Sequence, residues 1–464
     1  TVDRSTPPPA GPLPAVAPRK ALTETLSNGL RVIILPDHRQ PTVTYRLVIK
    51  SGSVFDGEKP GTAALVASLL NKGTETMGAE EFARQTDFLG LKVEAGSSED
   101  ALSVTATGLS RDNATLLQFL KAAALSPAFK PEELEKERLR TISELVQKRA
   151  NPADLALRLR NRLLYGTHPY GASATPESVK AITRGDLVRF HQAHFLPNNA
   201  NLVLVGDVDP ETALEEIRKT FGDWKEGEVP TLKVADGVET GDPRFVLPPF
   251  PEIKGISFHL VDRPSSVQSN VLVASPGVPR NNPDLPELTV VNSLLGGGFS
   301  GRLFANLREK HGYTYGAYSG FGPRKLGGSF SATAEVRNDV TGAAFTEILK
   351  ELERITSEPI PEEELGLQRN YLAGNFLISQ ENEKRIAERL QEIDLFGLPA
   401  DYYDTYAQRL MAVTPDTASA LARKYLRPKD LVVVVVGNAK EVLPQLKALG
   451  PVTVYDQDLN PVQN

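Results

Sequence analysis

The chain has 464 residues, 40% of them hydrophobic, which is enough for a sizeable core and predicts about two to four domains. Its 52 basic and 58 acidic residues give a formal charge of −6, which argues against a nucleic-acid partner. Because the chain has no cysteine, disulfides, thiol catalysis and cysteine-ligated zinc are excluded. No apolar run approaches the ~18 residues of a membrane-spanning helix, so we predict no transmembrane segment.

The start of the chain is rich in proline and alanine. Six prolines fall within residues 1–19, which predicts a disordered tail over residues 1–24. Such a segment is typical of what remains after a signal peptide is removed, and equally of a chain trimmed for expression. On the first interpretation we expect a soluble bacterial protein that is exported to the periplasm.

Residues 25–228 predict a first domain of mixed helices and strands. Strands are predicted at residues 30–35 and 43–50, and we interpret the pair as a hairpin. Pro131, followed by two glutamates, is a strong helix start because proline fits the first turn and acids favour the N-terminal end of the helix dipole. The further elements are predicted as helices at 61–71, 79–88, 113–125, 131–148, 186–195 and 210–221, and strands at 91–95, 101–108 and 201–205.

Residues 229–254 interrupt this pattern. Five prolines in this stretch predict an extended linker between domains, with room for short strands. Residues 255–464 then predict a second domain, in which the apolar run 431–436 is a buried strand.

The second half repeats the first in the same order. A constant order with a small drift in spacing indicates two copies of one fold, so we predict the α+β class with two homologous mixed domains. The matched pairs are Pro197 with Pro428 and Gly206 with Gly437, each 231 residues apart, and Asp37 with Asp262 and Gly52 with Gly277, each 225 apart.

Residues 294–319 read LLGGGFSGRLFANLREKHGYTYGAYS. The glycines predict the end of one helix, residues 299–310 a second helix with a core-facing apolar side, and residues 313–321 a strand after the helix-ending Gly312. This return places Arg308 and Tyr315 near one cleft. Their fixed hydrogen-bond donors suit peptide carbonyls. The spacing also allows a plain alternative, a helix-terminal arginine and a packed strand tyrosine.

This stretch resembles the GGGxxSRLxxxLREKxGLxY pattern of the family of pitrilysin, insulin-degrading enzyme and mitochondrial processing peptidase, which are zinc peptidases. Gly301 departs from the pattern, where many members have serine. The resemblance implies two similar α+β halves that close like a clam shell on a peptide. It also implies that Arg308 and Tyr315 contact the substrate beside the zinc ion.

Active members of that family carry the zinc-binding sequence H-x-x-E-H on the first helix, in the context GxAHFLEHxxxKGT. Here residues 61–74 read GTAALVASLLNKGT, so the ligand positions hold Ala64 and Ser68 and the general-base position holds Ala67. The family's third ligand corresponds to Glu144, 76 residues after Ser68. One carboxylate does not make a catalytic zinc site, so we expect no metal in this chain.

The resemblance thus implies a split of roles between two chains. We expect a non-catalytic, substrate-binding subunit of a heterodimeric zinc metallopeptidase, inactive alone, whose homologous partner holds zinc through H-x-x-E-H. The alternative is a scaffold or peptide-binding protein of the same fold with no proteolytic role.

Overall fold

The computed structural model describes residues 20–234 and 246–462. Within them the chain forms two six-stranded β-sheets, each packed against helices, and a pair of short strands between the two halves. Residues 1–19 of the predicted tail and the middle of the predicted linker lie outside the described residues. None of the helices in the two described segments is long and apolar enough to cross a membrane.

The strands fall into two sets of six that are separated by a short parallel pair. The first sheet contains β1 Leu22–Thr25, β2 Arg31–Pro36, β3 Thr42–Ile49, β4 Lys92–Ser97, β5 Leu102–Leu109 and β6 Ala200–Gly206. The short pair is β7 Lys233–Val234 with β8 Val246–Leu247, within the predicted linker. The second sheet contains β9 Ile256–Asp262, β10 Gln268–Pro276, β11 Thr314–Pro323, β12 Gly328–Arg337, β13 Leu431–Gly437 and β14 Val452–Tyr455.

Each half contributes eight of the α-helices in the described segments. The first half has α1 Thr62–Leu69, α2 Ala79–Leu89, α3 Asn113–Leu125, α4 Pro131–Arg149, α5 Pro152–Tyr165, α6 Pro176–Ala181, α7 Arg184–His194 and α8 Pro210–Phe221. The second half has α9 Leu285–Gly296, α10 Arg302–Phe304, α11 Thr341–Ser357, α12 Glu362–Ile378, α13 Glu383–Phe396, α14 Tyr406–Met411, α15 Pro415–Tyr425 and α16 Ala439–Lys447.

The two sheets have the same topology, which confirms the predicted repeat. The first runs β1-β2-β6-β3-β5-β4, and the second, read from its other edge, runs β14-β9-β13-β10-β12-β11. In the first sheet, β6 lies parallel to β2 and antiparallel to β3. In the second sheet, β13 lies parallel to β9 and antiparallel to β10 in the same way. The predicted α+β class with two homologous halves is therefore correct.

The predicted hairpin of residues 30–35 and 43–50 is wrong. Strand β6 lies between β2 and β3, so that Leu204 pairs with Ile34 on one side and with Tyr45 on the other. Two strand spacings of about 4.8 Å separate β2 from β3, and the five-residue connection between them is long enough to cross β6. The prediction failed because the intervening strand comes from more than 150 residues further along the chain.

The edge strands β1 and β14 hold corresponding places in the two sheets, but β1 is the first strand along the chain and β14 the last. In the first sheet β1 pairs antiparallel with β2, whereas in the second β14 pairs parallel with β9. Residues 22–24 were assigned to the disordered tail, and this boundary is corrected because they form most of β1.

One helix from each half packs on the sheet of the other half. Helix α5 of the first half lies across β10 and β13, and helix α13 of the second half lies across β3 and β6. Strand β13 is therefore covered on both faces, which explains its uninterrupted apolar sequence, buried throughout. Because each sheet depends on a helix from the other half, we infer that the two halves fold together.

Candidate functional site

Helix α1 carries the three positions at which the family resemblance places two zinc ligands and a general base. Ala64 is exposed, Ser68 is half-buried and Ala67 is buried. Their spacing on a helix puts them on one side, where all three line a cavity of about 430 Å³. The Ser68 hydroxyl donates to the carbonyl oxygen of Leu65 at 3.0 Å and is thus engaged by the helix backbone.

The cavity also contains charged side chains from helix α4. Glu137, which is only 7% exposed, accepts from Arg140 Nε at 2.8 Å and lies 3.9 Å from Lys72 Nζ. Arg140 Nη1 lies 3.3 Å from Glu144 Oε1. The Arg140 guanidinium thus bridges the two carboxylates, and both carboxylates are paired with cations of the protein itself.

These residues do not fit a catalytic zinc ion. Such an ion requires three protein ligands and an open position, whereas Ala64 and Ala67 offer no donor atom. Glu144 is half-exposed and paired with Arg140. Among residues 20–234 and 246–462, no group of three acidic or histidine side chains is arranged to hold a metal ion.

The second candidate region begins where α9 ends against strand β11. A Cβ atom at Gly296 would lie 2.7 Å from the backbone nitrogen of Ser319 and 2.8 Å from Leu303 Cδ1. Only glycine therefore permits this close approach. The helix end predicted at the three glycines is confirmed, since α9 ends at Gly296.

The predicted helix 299–310 starts later than expected and changes type. It begins with the short α10, and Ala305–Lys310 form a π-helix, a rare and wider turn that is frequently found at functional sites. Buried Asn306 anchors this turn by donating to the carboxylates of Glu347 and Glu351 at 2.9 and 2.6 Å. The chain then leaves through Gly312, whose φ of +63° is the left-handed conformation predicted for it.

Arg308 lies on the outer side of the π-helix. Its side chain is exposed, and its guanidinium carbon is 4.8 Å from the centre of the Phe304 ring. Within the described segments, the guanidinium has no hydrogen-bond acceptor and no ion-pair partner. The stacking orients the side chain, and the donors of the guanidinium remain available to a ligand.

Tyr315 lies on strand β11, at the edge of the second sheet. Thr314 pairs with Val336 and Ala317 pairs with Ala334, so three residue steps of β11 oppose two steps of β12. This extra residue is a β-bulge, which turns a side chain away from the regular alternation. Tyr315 is consequently 86% exposed. The plain alternative of a packed strand tyrosine is wrong for this residue.

Several residues of the two regions were not singled out from the sequence. Phe299 is 71% exposed and packs edge-on against Phe304 at 5.1 Å, beside Tyr318.

The pairing of Arg140 with Glu137 and Glu144 could have been found, because these residues lie three and four positions apart on a predicted helix. Nothing in the local sequence indicates that the arginine would enter the cavity.

Comparison with known protein families gives matches over both halves of the chain. Residues 31–176 match "Insulinase (Peptidase family M16)", and residues 181–372 match "Peptidase M16 inactive domain". The two matches are consecutive and together cover most of the chain.

Individual relatives extend over nearly the full length. A protein of Mycobacterium tuberculosis named an uncharacterized zinc protease is 27% identical over 448 residues, which are 94% of this chain and 97% of the relative. A Streptomyces coelicolor protein with the same description is 24% identical over 87% of this chain and 86% of its own. These names describe the relatives.

Solved structures show the same fold. The structure titled peptidase M16 inactive domain from Pseudomonas fluorescens has a TM-score of 0.82 and 25% identity, covering 90% of this chain and 98% of its own. A protease from Helicobacter pylori has a TM-score of 0.81 at 20% identity, covering 90% and 99% of the two chains. The second likeness concerns the fold alone.

Proposed function

This chain belongs to the insulinase family of peptidases, M16, and we propose that it is a non-catalytic, substrate-binding subunit of a heterodimeric zinc metallopeptidase. The partner would be a homologous chain that carries H-x-x-E-H and holds the zinc ion. This chain would contribute Arg308 and Tyr315 to the partner's site. The substrates would be peptides or unfolded segments.

The proposal rests on the side chains that line the cavity on helix α1. Its ligand positions hold Ala64 and Ser68, and Arg140 bridges Glu137, which lines the cavity, and Glu144, which lies further along the same helix. Without an imidazole pair, the cavity on α1 does not supply the ligands for a zinc ion that would activate a water molecule. Its contribution to peptide hydrolysis would therefore be to binding and orientation.

The exposure of Arg308 and Tyr315 supports the second part of the proposal. A guanidinium fork and a phenol hydroxyl are hydrogen-bond donors, and both face solvent in this structure. Donors that are directed at a peptide carbonyl stabilise the negative charge that develops there during hydrolysis. Arg308 would orient the peptide backbone, and Tyr315 would donate to the carbonyl oxygen.

A scaffold of the same fold is the second candidate function. It is favoured by the contact of Arg308 with Phe304, which gives the arginine a packing role at the surface. Tyr315 is 86% exposed and makes no comparable contact with the described part of the chain, so the scaffold accounts for only one of the two residues. Export to the periplasm stays a prediction, which cell fractionation would test.

Affinity purification of the full chain from its native host tests the proposal. We expect a homologue with H-x-x-E-H to co-purify in a one-to-one complex, and the complex to cleave a fluorogenic peptide that neither chain cleaves alone. A stable complex without peptidase activity would favour the scaffold. Cleavage by the isolated partner at the full rate would contradict the role proposed for this chain.

A further inference from the structure

The second half contains a cavity of about 370 Å³ that the proposed function does not use. It lies between helices α9, α12 and α13, strand β11 and the segment that leads into α14. Two arginines, Arg280 and Arg389, line it together with aromatic side chains from several elements. These are Phe321, Phe376, Tyr402, Tyr403 and Tyr406.

This cavity is the structural counterpart of the one on helix α1. The 225-residue spacing of the repeat relates Ala64 and Ala67 to Thr289 and Asn292, which line the second cavity. Strand β11 and helix α12 occupy the places that β4 and α4 occupy in the first half. The two halves therefore have a cavity at the same place in the fold, but different side chains line it.

The charges of the second cavity are not balanced. Arg280 Nη2 lies 2.7 Å from Glu392 Oε2. The same guanidinium also donates to the hydroxyl groups of Tyr402 and Tyr403 at 3.0 and 2.8 Å. The Tyr403 hydroxyl in turn donates to Glu392. Glu392 is thus already engaged by Arg280 and Tyr403, and among the described residues no other carboxylate pairs with Arg389.

Arg389 has an unused donor in a buried position. Its Nη2 donates to the hydroxyl group of Ser379 at 2.6 Å, while its Nη1 is buried without an acceptor among the described residues. Its guanidinium stacks on Phe376 at 4.4 Å and lies 5.7 Å from the centre of the Tyr403 ring. Burial lowers the pKa of Arg389 below its usual value. Most buried side-chain donors in native proteins have a hydrogen-bond partner, so this unused donor points to a ligand.

We propose that this cavity binds a carboxylate that a peptide carries next to an apolar side chain. Arg389 would donate to the carboxylate, because a guanidinium matches the two oxygens of that group. The aromatic walls would surround the apolar neighbour. The carboxylate would come from a peptide C-terminus or from an acidic side chain. This inference goes beyond the proposed subunit role, since it needs no partner chain.

Three short peptides distinguish the sources of the carboxylate in binding experiments with the full chain. Acetyl-Gly-Phe has a C-terminal carboxylate, acetyl-Gly-Phe-amide has none, and acetyl-Asp-Phe-amide has only a side-chain carboxylate. Calorimetry or ligand-observed NMR would measure binding. We expect at least one acid to bind at least tenfold more tightly than the peptide without a carboxylate. Equal binding of all three, or no binding at all, would overturn the proposal.

Variants locate the binding. Arg389→Gln should weaken the binding of the acidic peptide by at least tenfold. Arg385→Gln should leave this affinity unchanged, because Arg385 is exposed one turn earlier on the same helix. If Arg389→Gln does not fold, Thr289→Leu fills the cavity without changing Arg389 and should give the same loss. Unchanged binding in a folded cavity variant would contradict the assignment.

Discussion

Arg140 donates from Nε to the carboxylate of Glu137 at 2.8 Å, inside the cavity where the family resemblance would place zinc. The buried carboxylate is thereby neutralised by a side chain three residues later on the same helix. A neighbouring cation stabilises a buried carboxylate much as a metal ion does. We infer that Arg140, together with Lys72, supplies the positive charge that stabilises the buried Glu137 carboxylate in this chain.

The isolated chain should neither bind zinc stoichiometrically nor cleave peptides. The reason is the side chains at Ala64, Ala67 and Ser68, together with the engagement of Glu137 by Arg140. Elemental analysis after dialysis against micromolar zinc, combined with a fluorogenic peptide assay, checks this expectation. One zinc ion per chain with turnover would overturn the proposed division of roles.

In a complex with the zinc-bearing partner, Arg308→Ala or Tyr315→Phe should lower kcat/KM by about 10²- to 10³-fold, as the loss of one transition-state donor does. Assembly should persist, because both side chains are exposed in this chain. Lys310→Ala, an exposed change in the same π-helix, is the matched control. Variants that assemble and cleave at the wild-type rate would assign the pair a structural role.

Local patterns in the sequence predicted elements well where the signal lies within one element. Helices α3 and α8 have the predicted limits, 113–125 and 210–221, and α8 begins with Asp209 as its N-cap followed by Pro210 in the first turn. The buried strand 431–436 was equally clear from its composition. These elements owe their limits to neighbouring residues in the chain.

Features that depend on distant parts of the chain were missed. The insertion of β6 between β2 and β3 and the packing of α5 on the second sheet join segments far apart in sequence. The β-bulge at Tyr315 depends on the register with β12, so the sequence indicated the residue but not its exposure. The entry of Arg140 into the cavity depends on how α4 packs against α1.

Acid should destabilise the protein partly through His194. This side chain is 4% exposed, lies 3.0 Å from the Ser51 hydroxyl, and burial lowers its pKa to about 4. The folded state therefore keeps His194 neutral where the unfolded state binds a proton. Its contribution to stability is fully present above about pH 6.5 and is lost as the pH falls towards 4.

His194→Gln should reduce the slope of unfolding free energy against pH between 4 and 6.5 by up to about 1.4 kcal/mol per pH unit, the value for one proton. Urea unfolding at several pH values measures this slope. His38→Gln is the control, because the His38 side chain is exposed, and it should change this slope less than His194→Gln does. Equal slopes in the wild-type protein and the His194 variant would refute the assignment.

Introducing H-x-x-E-H should give tight zinc binding only when Arg140 is also removed. Ala64→His, Ala67→Glu and Ser68→His would place two imidazoles four residues apart on one face of α1. Because Ala67 is 2% exposed, the new glutamate should cost about 1–3 kcal/mol of stability. In this triple variant Arg140 would still engage both carboxylates. Adding Arg140→Ala should tighten zinc binding at least tenfold, measured by competition with a chromogenic chelator.

The third ligand in this quadruple variant should be Glu144. Once Arg140 is absent, Glu137 still has Lys72 at 3.9 Å, whereas Glu144 loses the only ion-pair partner it has in the described structure. The free carboxylate of Glu144, two turns along the same helix, is then available to a metal. A further Glu144→Gln change should abolish zinc binding, and Glu137→Gln should weaken it less. The reverse order would assign the ligand to Glu137 and would show that the 76-residue spacing of the family does not hold here.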